Sequence, residues 1–151
     1  MIDNEHFMRL AIELACKNPR APFGTLIVDM ESQEVVAEGL NRAREHPIMH
    51  GEMDAIDRYA KGGRSGWGKL RLYTTAEPCC MCQAAIIWAG IPEVVFGTSI
   101  GTLLEFGWNQ FDLTAADVAR RAKFSRCEII GGVLADECDQ LFKQARAEDD
   151  S

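Results

Sequence analysis

The stretch Leu70–Gly90, LRLYTTAEPCCMCQAAIIWAG, joins a predicted strand to a predicted helix with only a short turn between them. Its first seven residues, LRLYTTA, have the β-branched and aromatic content of a strand. Pro78 fits the first turn of a helix, where its missing N–H costs nothing, and the apolar run after it predicts a helix as far as Ala89. Gly90 ends that helix. A strand followed at once by a helix is typical of α/β folds.

The rest of the chain supplies further strands and helices on both sides of this unit. Two strands around a polar turn form a hairpin before it, and strands alternate with helices after it. This order predicts one mixed, five-stranded sheet flanked by helices, in a single domain that spans residues 1–151. The other predicted elements are helix Asn4–Lys17 with Asn4 as its cap, strands Thr25–Asp29 and Glu34–Leu40, helix His50–Ala60, strand Pro92–Thr98, helix Ala115–Ala122 after the cap Thr114, strand Cys127–Gly132 and helix Ala135–Ala147; residues 61–68 are predicted as loop, and 99–111 give no clear pattern.

The composition is that of an ordinary globular protein. The chain has 151 residues, of which 47% are hydrophobic and 26% charged, so we expect one domain around one core. No apolar run approaches the roughly 20 residues that span a bilayer. The acidic N-terminal segment lacks the continuous apolar stretch of a secretory signal. We therefore expect a cytoplasmic protein.

The net charge of −7 bears on the kind of partner. Proteins that hold a long phosphate backbone are usually basic on at least one face. The segment Arg120–Arg126, RRAKFSR, is basic, but the chain ends in the acidic AEDDS. The charge balance disfavours a nucleic-acid partner and favours a small molecule.

Six cysteines in a chain of this length, in a reducing compartment, do not predict a disulfide scaffold. Three of them, Cys79, Cys80 and Cys82, fall within four positions. On a helix Cys79 and Cys82 share a face, whereas Cys80 points elsewhere. The helix dipole lowers the pKa of thiols in a first turn, so this pair is prepared to bind a cation as thiolates.

Two thiolates make an incomplete zinc site, and the sequence has three histidines that could complete it. His6 lies on the first predicted helix and His46 in a loop before a proline, whereas His50 opens a predicted helix. One imidazole and two thiolates would leave the fourth zinc position for water, as in catalytic sites. Glu52 could then move protons between that water and a substrate. The alternative is that Glu52 is a first-turn acid favoured by the helix dipole.

HGE at 50–52 and PCCMC at 78–82 together resemble the H-x-E…P-C-x-x-C signature of the zinc-dependent cytidine and nucleobase deaminases. PFGTLIV at 22–28 and AIIWAG at 85–90 are similar to the guanine deaminases and the tRNA adenosine deaminases. The resemblance implies a cytidine deaminase-like, three-layer α/β/α fold with helices on both faces of a five-stranded mixed sheet. It also implies a zinc cofactor and a dimeric or larger assembly, here expected to be a homodimer.

The same resemblance implies roles for particular residues. His50, Cys79 and Cys82 would bind the zinc ion, and Glu52 would be the catalytic proton shuttle. The implied reaction is hydrolytic deamination, in which zinc-activated water replaces an amine that leaves as ammonia. The residues expected to contact the substrate are Phe23, Asn41, Ala76, Glu77 and Trp108, with the backbone of Ala76 and Glu77 placed to hold the leaving amine.

The residues at the positions that select the substrate resemble those of different deaminase families. Gly51 stands where the purine-type relatives have alanine, and it matches the fungal-type cytosine deaminases. The segment LEFGWNQFD at 104–112 replaces the aspartate-rich element of the guanine deaminases, and we expect Glu105 or Asp112 to take its place. Three aromatic residues could stack on a ring, pack in the core or form a subunit contact: Phe106, Trp108 and Phe111.

The expected substrate is a free nucleobase, a nucleoside or a related amino-heterocycle, with guanine-type purines ahead of cytosine. A tRNA adenosine deaminase is the second interpretation, which the acidic charge balance disfavours. A structural zinc module is the alternative of another class, and it predicts a fourth protein ligand, Cys80 or His46, with no use for Glu52. A redox C-x-x-C site ranks last.

Overall fold

The computed structural model describes residues 3–149. Its elements are, in chain order, α1 (Asn4–Ala15), β1 (Gly24–Asp29), β2 (Glu34–Leu40), α2 (Gly51–Lys61), a 3₁₀ turn (Trp67–Lys69), β3 (Leu70–Ala76), α3 (Cys80–Ala89), β4 (Glu93–Thr98), α4 (Ile100–Glu105), α5 (Ala115–Arg121), β5 (Glu128–Ile130) and α6 (Ala135–Asp149). The strands form one five-stranded sheet in the order β2-β1-β3-β4-β5. β1 runs antiparallel to β2 and β3, whereas β3, β4 and β5 are parallel.

Helices cover both faces of the sheet, and the central strands are therefore apolar on both sides. In β1, Leu26 and Val28 pack with α1 and α6 on one face, while Ile27 packs on the other face with Ala55 of α2 and Ile86 of α3. The predicted three-layer α/β/α architecture is confirmed. No helix among residues 3–149 is both long and apolar enough to cross a bilayer.

The N-cap of α1 differs from its prediction, because another residue accepts hydrogen bonds from the first N–H groups of the helix. Asp3 is the N-cap, and its side chain accepts hydrogen bonds from the backbone of Glu5 and His6. The predicted cap, Asn4, lies inside the helix, and its Oδ1 accepts a hydrogen bond from the Tyr73 hydroxyl at 2.6 Å. Asn4 therefore ties α1 to the sheet instead of capping the helix.

Two short elements occur where the sequence predicts loop or gives no clear pattern. One is the 3₁₀ turn before β3, and the other is α4, whose N-cap Ser99 accepts a hydrogen bond from the Thr102 backbone. Elements this short contain too few turns to show a helical period. Ile100 and Leu103 of α4 are buried, so tertiary packing holds it in place.

β2 and α2 pack closely against each other at Gly39. A Cβ atom on Gly39 would lie 2.2 Å from the carbonyl oxygen of Gly51 and 2.5 Å from the amide nitrogen of Ala55.

We expect Gly39→Ala to lower the free energy of unfolding by about 2–3 kcal/mol, because neither backbone atom can yield without displacing the helix. Urea denaturation measures this. The control is Gly68→Ala, since nothing lies within 4 Å of that Cβ position, and equal losses in both variants would contradict the packing explanation.

Candidate active site

His50, Cys79 and Cys82 converge where α2 and α3 begin. The Nδ1 atom of His50 lies 3.6 Å from the Cys79 Sγ and 3.5 Å from the Cys82 Sγ, and the three atoms lie within 4.8 Å of one another. A tetrahedral zinc ion with bonds of about 2.0 Å to nitrogen and about 2.3 Å to sulfur would hold these atoms about 3.6 Å apart. The donor set and its spacing therefore fit zinc.

Within the described residues, the metal cluster has these three members and no fourth Cys, His, Asp or Glu. Cys80 is partly exposed and stands outside it, and His46 is exposed in the loop before α2. Three protein ligands leave one of the four zinc positions open, which is typical of catalytic sites and not of structural ones. The structural-module alternative requires a fourth ligand, which this cluster does not provide.

The local backbone explains why these side chains meet. His50 is the N-cap of α2 and Cys79 is the N-cap of α3, both in extended conformation with ψ of 166° and 169°. Neither side chain bonds to its own helix, so both turn toward the cluster. The helices therefore begin at Gly51 and Cys80, later than the predicted starts at His50 and Pro78. The positive ends of both helix dipoles still point at the thiols.

Glu52 lies in the first turn of α2 and is 4% exposed. Its Oε1 accepts hydrogen bonds from the hydroxyls of Thr74 at 3.1 Å and Thr25 at 3.3 Å. These two threonines are neighbours across the β1–β3 pairing. Burial raises the pKa of Glu52, and a hydrogen bond with Cys82 opposes that rise. A carboxyl group whose pKa is raised by burial holds a proton more readily than an exposed one, so Glu52 beside the metal cluster is suited to accept and return a proton.

The thiols of Cys79 and Cys82 have different pKa values, and Cys79 loses its proton first. The hydrogen bond from Cys82 lowers the pKa of Cys79 to about 4, and His50 contributes to this effect. The same hydrogen bond, together with burial, raises the pKa of Cys82. The Cys79 thiolate in turn raises the pKa of His50. Ionising both sulfurs at once therefore needs a cation between them, which is the condition that a zinc site meets.

A cavity of about 290 Å³ opens onto the cluster. Its inner end is formed by His50, Glu52 and Cys79. A larger and more open groove of about 620 Å³ runs along α5 and β5, and it shares no residue with this cluster. A second cavity of about 410 Å³ also touches His50 and Cys79, but it does not reach Glu52. The smaller cavity, of about 290 Å³, is therefore the one that joins the metal cluster to this carboxyl group. Its outer walls include Phe23, Asn41, Trp108, Asn109, Gln110 and Arg146.

Asn41, predicted to contact the substrate, lies at the cavity wall directly after β2. Its Oδ1 accepts a hydrogen bond from the backbone N–H of Ala43 at 3.0 Å. Its own carbonyl accepts one from the Asn18 side chain at 3.1 Å. These two bonds fix the orientation of the residue, so the side-chain NH₂ group is the part it can offer to a ligand.

Ala76 and Glu77, predicted to hold the leaving amine, both have bonds within the protein. Glu77 reaches the cavity, but its carboxylate accepts hydrogen bonds from the backbone of Ile100 at 2.9 Å and Ala115 at 2.8 Å. Glu77 thereby fastens the starts of α4 and α5 beside the metal cluster. Ala76 is buried outside the cavity lining, and its carbonyl lies 2.9 Å from the Thr74 hydroxyl, which has one proton to share between this carbonyl and Glu52.

The aromatic residues divide between the cavity and the surface. Phe23 and Trp108 line the cavity and meet edge to face, with ring centroids 5.3 Å apart. Phe142 of α6 packs against both rings, and its carbonyl accepts a hydrogen bond from the Trp108 indole at 3.2 Å. Phe106 packs in the same apolar cluster, whereas Phe111 is 67% exposed. Trp108 is thus the member of the predicted aromatic set that faces the cavity.

The residues expected to replace the aspartate-rich element lie away from the cavity. Glu105 and Asp112 are exposed and do not line it. The structure instead places Gln110 and Arg146 at its wall, and the sequence predicts neither. No local pattern marks these two residues, because a loop and a C-terminal helix reach the cavity only through the tertiary fold.

This chain is similar to a known protein family and to several characterised proteins. The family model described as the cytidine and deoxycytidylate deaminase zinc-binding region matches residues 1–98. The tRNA-specific adenosine deaminase of Haemophilus influenzae is 32% identical over 162 residues, which cover 97% of this chain and 86% of that protein. The guanine deaminase of Bacillus subtilis is 37% identical over 63% of this chain and 64% of its own. The solved structure of a guanine deaminase from Nitrosomonas europaea has a TM-score of 0.82 at 22% identity, and the match covers 97% of this chain and 86% of that one.

Proposed function

We propose, from the premise that this chain belongs to the cytidine and deoxycytidylate deaminase zinc-binding family, that it deaminates a free nucleobase, a nucleoside or a related small amino-heterocycle. The chain is a zinc-dependent hydrolytic deaminase. Guanine-type purines are the favoured substrates, with cytosine-type rings next. The observation that carries the proposal is a buried carboxyl group, Glu52, beside a three-residue metal cluster at the inner end of a cavity of about 290 Å³.

In the proposed mechanism, the three cluster residues hold the zinc ion, which when bound lowers the pKa of water and supplies a nucleophile near neutral pH. Glu52 would take one proton from the water and deliver it to the ring nitrogen, and it would then take the remaining proton of the added hydroxyl group and deliver it to the amine. A carbon–oxygen bond forms, the carbon–nitrogen bond breaks, and ammonia leaves. The hydroxyls of Thr25 and Thr74 hold one carboxylate oxygen, so Glu52 stays oriented throughout.

The outer part of the cavity supports the choice of a small ring as substrate. Phe23 and Trp108 provide aromatic surface for a planar heterocycle. Asn41 would donate a hydrogen bond to an acceptor on that heterocycle. The surrounding walls would exclude bulk water from the reacting atoms, which strengthens the electrostatic interactions there.

A tRNA adenosine deaminase is the second candidate. It is favoured by the Haemophilus influenzae relative, whose similarity covers 97% of this chain. The net charge of −7 opposes it, because phosphates of an RNA need compensating Lys and Arg side chains. We therefore rank it below the small-molecule deaminase.

Ammonia release by the zinc-loaded protein separates the two candidates. The substrates to compare are guanine, guanosine, adenine, cytosine, cytidine and an anticodon hairpin that contains adenosine. We expect turnover of a free base or nucleoside and none of the hairpin. Release from the hairpin alone would make the protein an RNA-modifying enzyme, and no release from any substrate would contradict the proposed function.

We also propose that the chain forms a homodimer in the cytoplasm, where its six free cysteines would stay reduced. Trp88 is 76% exposed and stacks on Phe124, which is 61% exposed, and exposed aromatic surface supports a protein contact.

Trp88→Glu should weaken self-association by about 30-fold in sedimentation velocity. Lys143→Glu, on the other face of the sheet, is the control. A wild-type chain that stays monomeric would contradict the proposal.

A further inference from the structure

The outer wall of the cavity presents hydrogen-bond donors of fixed polarity. The Oδ1 atom of Asn41 accepts a hydrogen bond from the backbone of Ala43, so its NH₂ group remains to donate to a ligand in the cavity. The guanidinium group of Arg146, which lines the same cavity, can donate hydrogen bonds but cannot accept them. Asn109 and Gln110 carry amides that can do either. The NH₂ group of Asn41 and the guanidinium group of Arg146 therefore both act as hydrogen-bond donors toward a ligand.

The carboxylates of this region are engaged elsewhere. Glu77 uses its oxygens to accept two backbone N–H groups, and Glu52 lies at the inner end beside the metal cluster. Glu105 and Asp112 are exposed and do not line the cavity. Among the described residues of the outer wall, Glu77 is the one carboxylate, and each of its oxygens already accepts a backbone N–H group. A substrate oxygen would instead meet donors there.

Arg146 is held in place by its neighbours. Its guanidinium carbon lies 5.5 Å from the centroid of the Trp108 ring, and Nη1 pairs with Asp149 at 3.4 Å. Nε and Nη2 run beside the backbone of Gly107, 3.9 Å from where a Cβ atom would be. The pair with Asp149 is partly exposed and therefore weak. A planar donor held against a ring loses little entropy when it binds an oxygen.

We propose that Arg146 is a specificity-determining residue that donates a hydrogen bond to an oxygen of the substrate, an oxo or carboxylate group on a ring atom other than the one that loses its amine. This inference rests on the proposed function and narrows it. Guanine-type and cytosine-type rings carry such an oxo group, and adenine does not. Arg146 would thus select oxo-bearing rings at a point away from the reacting atoms.

Matched substrate pairs test this role. Guanine and 2-aminopurine differ in the 6-oxo group, and cytosine and 4-aminopyrimidine differ in the 2-oxo group; the pair used is the one that the wild-type protein turns over. We expect Arg146→Met to lower kcat/KM for the oxo member by about 10- to 100-fold, mainly through KM, and for the other member by less than about 3-fold. Equal losses on both members would overturn the inference, because a packing role would affect them alike.

Two further variants serve as a charge control and as a conservative substitution of Arg146. Lys143→Met removes a positive charge from the same helix at an exposed position outside the cavity lining, and it should behave as wild type. Arg146→Lys keeps the side-chain stem over Trp108 but loses the planar fork, so it should lose part of the preference for the oxo member. If Arg146→Met does not fold, the Arg146→Lys result decides, and an unchanged preference there would overturn the inference.

Binding of product analogues measures the same preference without turnover. By isothermal titration calorimetry, the wild-type protein should bind xanthine about 10-fold more tightly than 2-hydroxypurine, and uracil more tightly than 4-hydroxypyrimidine. Arg146→Met should abolish that difference, and Lys143→Met should retain it. A wild-type protein that releases ammonia from none of the substrates compared above would contradict the proposed function, whereas binding that does not depend on Arg146 would contradict only this inference.

Discussion

Glu52→Gln is expected to lower kcat by about 1,000-fold while leaving zinc content and fold unchanged. Proton transfer by a positioned side chain contributes about 10²- to 10⁴-fold to a rate, and the amide cannot take a proton from water. The amide oxygen can still accept hydrogen bonds from Thr25 and Thr74, so the packing around α2 is retained. The melting temperature should not fall, because burial disfavours the charge that the substitution removes.

Three measurements on this variant decide between mechanism and structure. They are kcat at saturating substrate, zinc content by mass spectrometry, and the thermal midpoint. The matched control is Glu105→Gln, which makes the same change at an exposed position and should retain wild-type kcat. If Glu52→Gln kept more than about a tenth of the activity, the assignment of the proton shuttle would be wrong.

His50→Ala is expected to remove zinc, activity and part of the stability together. A metal present at about 1,000 times its dissociation constant stabilises the folded state by about 4 kcal/mol. In a chain of 151 residues this corresponds to a fall in Tm of roughly 10 °C. The reason is that two thiolates alone complete neither the ligand set nor its charge balance.

A chelator shows whether this loss acts through the metal. Chelation should lower the Tm of the wild-type protein to the value of His50→Ala, and it should leave that variant unchanged. His46→Ala and Cys80→Ser, at the two positions that could have supplied a fourth ligand, should both retain one zinc ion per chain. Loss of zinc in either of them would contradict a site of one histidine and two cysteines.

The secondary structure could be predicted from the sequence to a large extent. Strands β2 and β3 have the predicted bounds, Glu34–Leu40 and Leu70–Ala76, because an apolar, β-branched run between turn residues is a local signal. The predicted cap of α1 was wrong because Asn and Asp are both good caps and neighbouring residues competed for one position. The predicted metal cluster comes together in the structure, since each half of it is encoded by a short motif at a helix start.

What the sequence determined by itself is the layout of the elements and the chemistry of the metal cluster, because both depend on residues only a few positions apart. The tertiary structure decided what surrounds the cluster. Thr25 and Thr74 meet Glu52 through the pairing of β1 with β3, and Arg146 reaches the cavity from α6. Contacts between distant segments depend on strand order and helix packing, which leave no periodic signal in the local sequence.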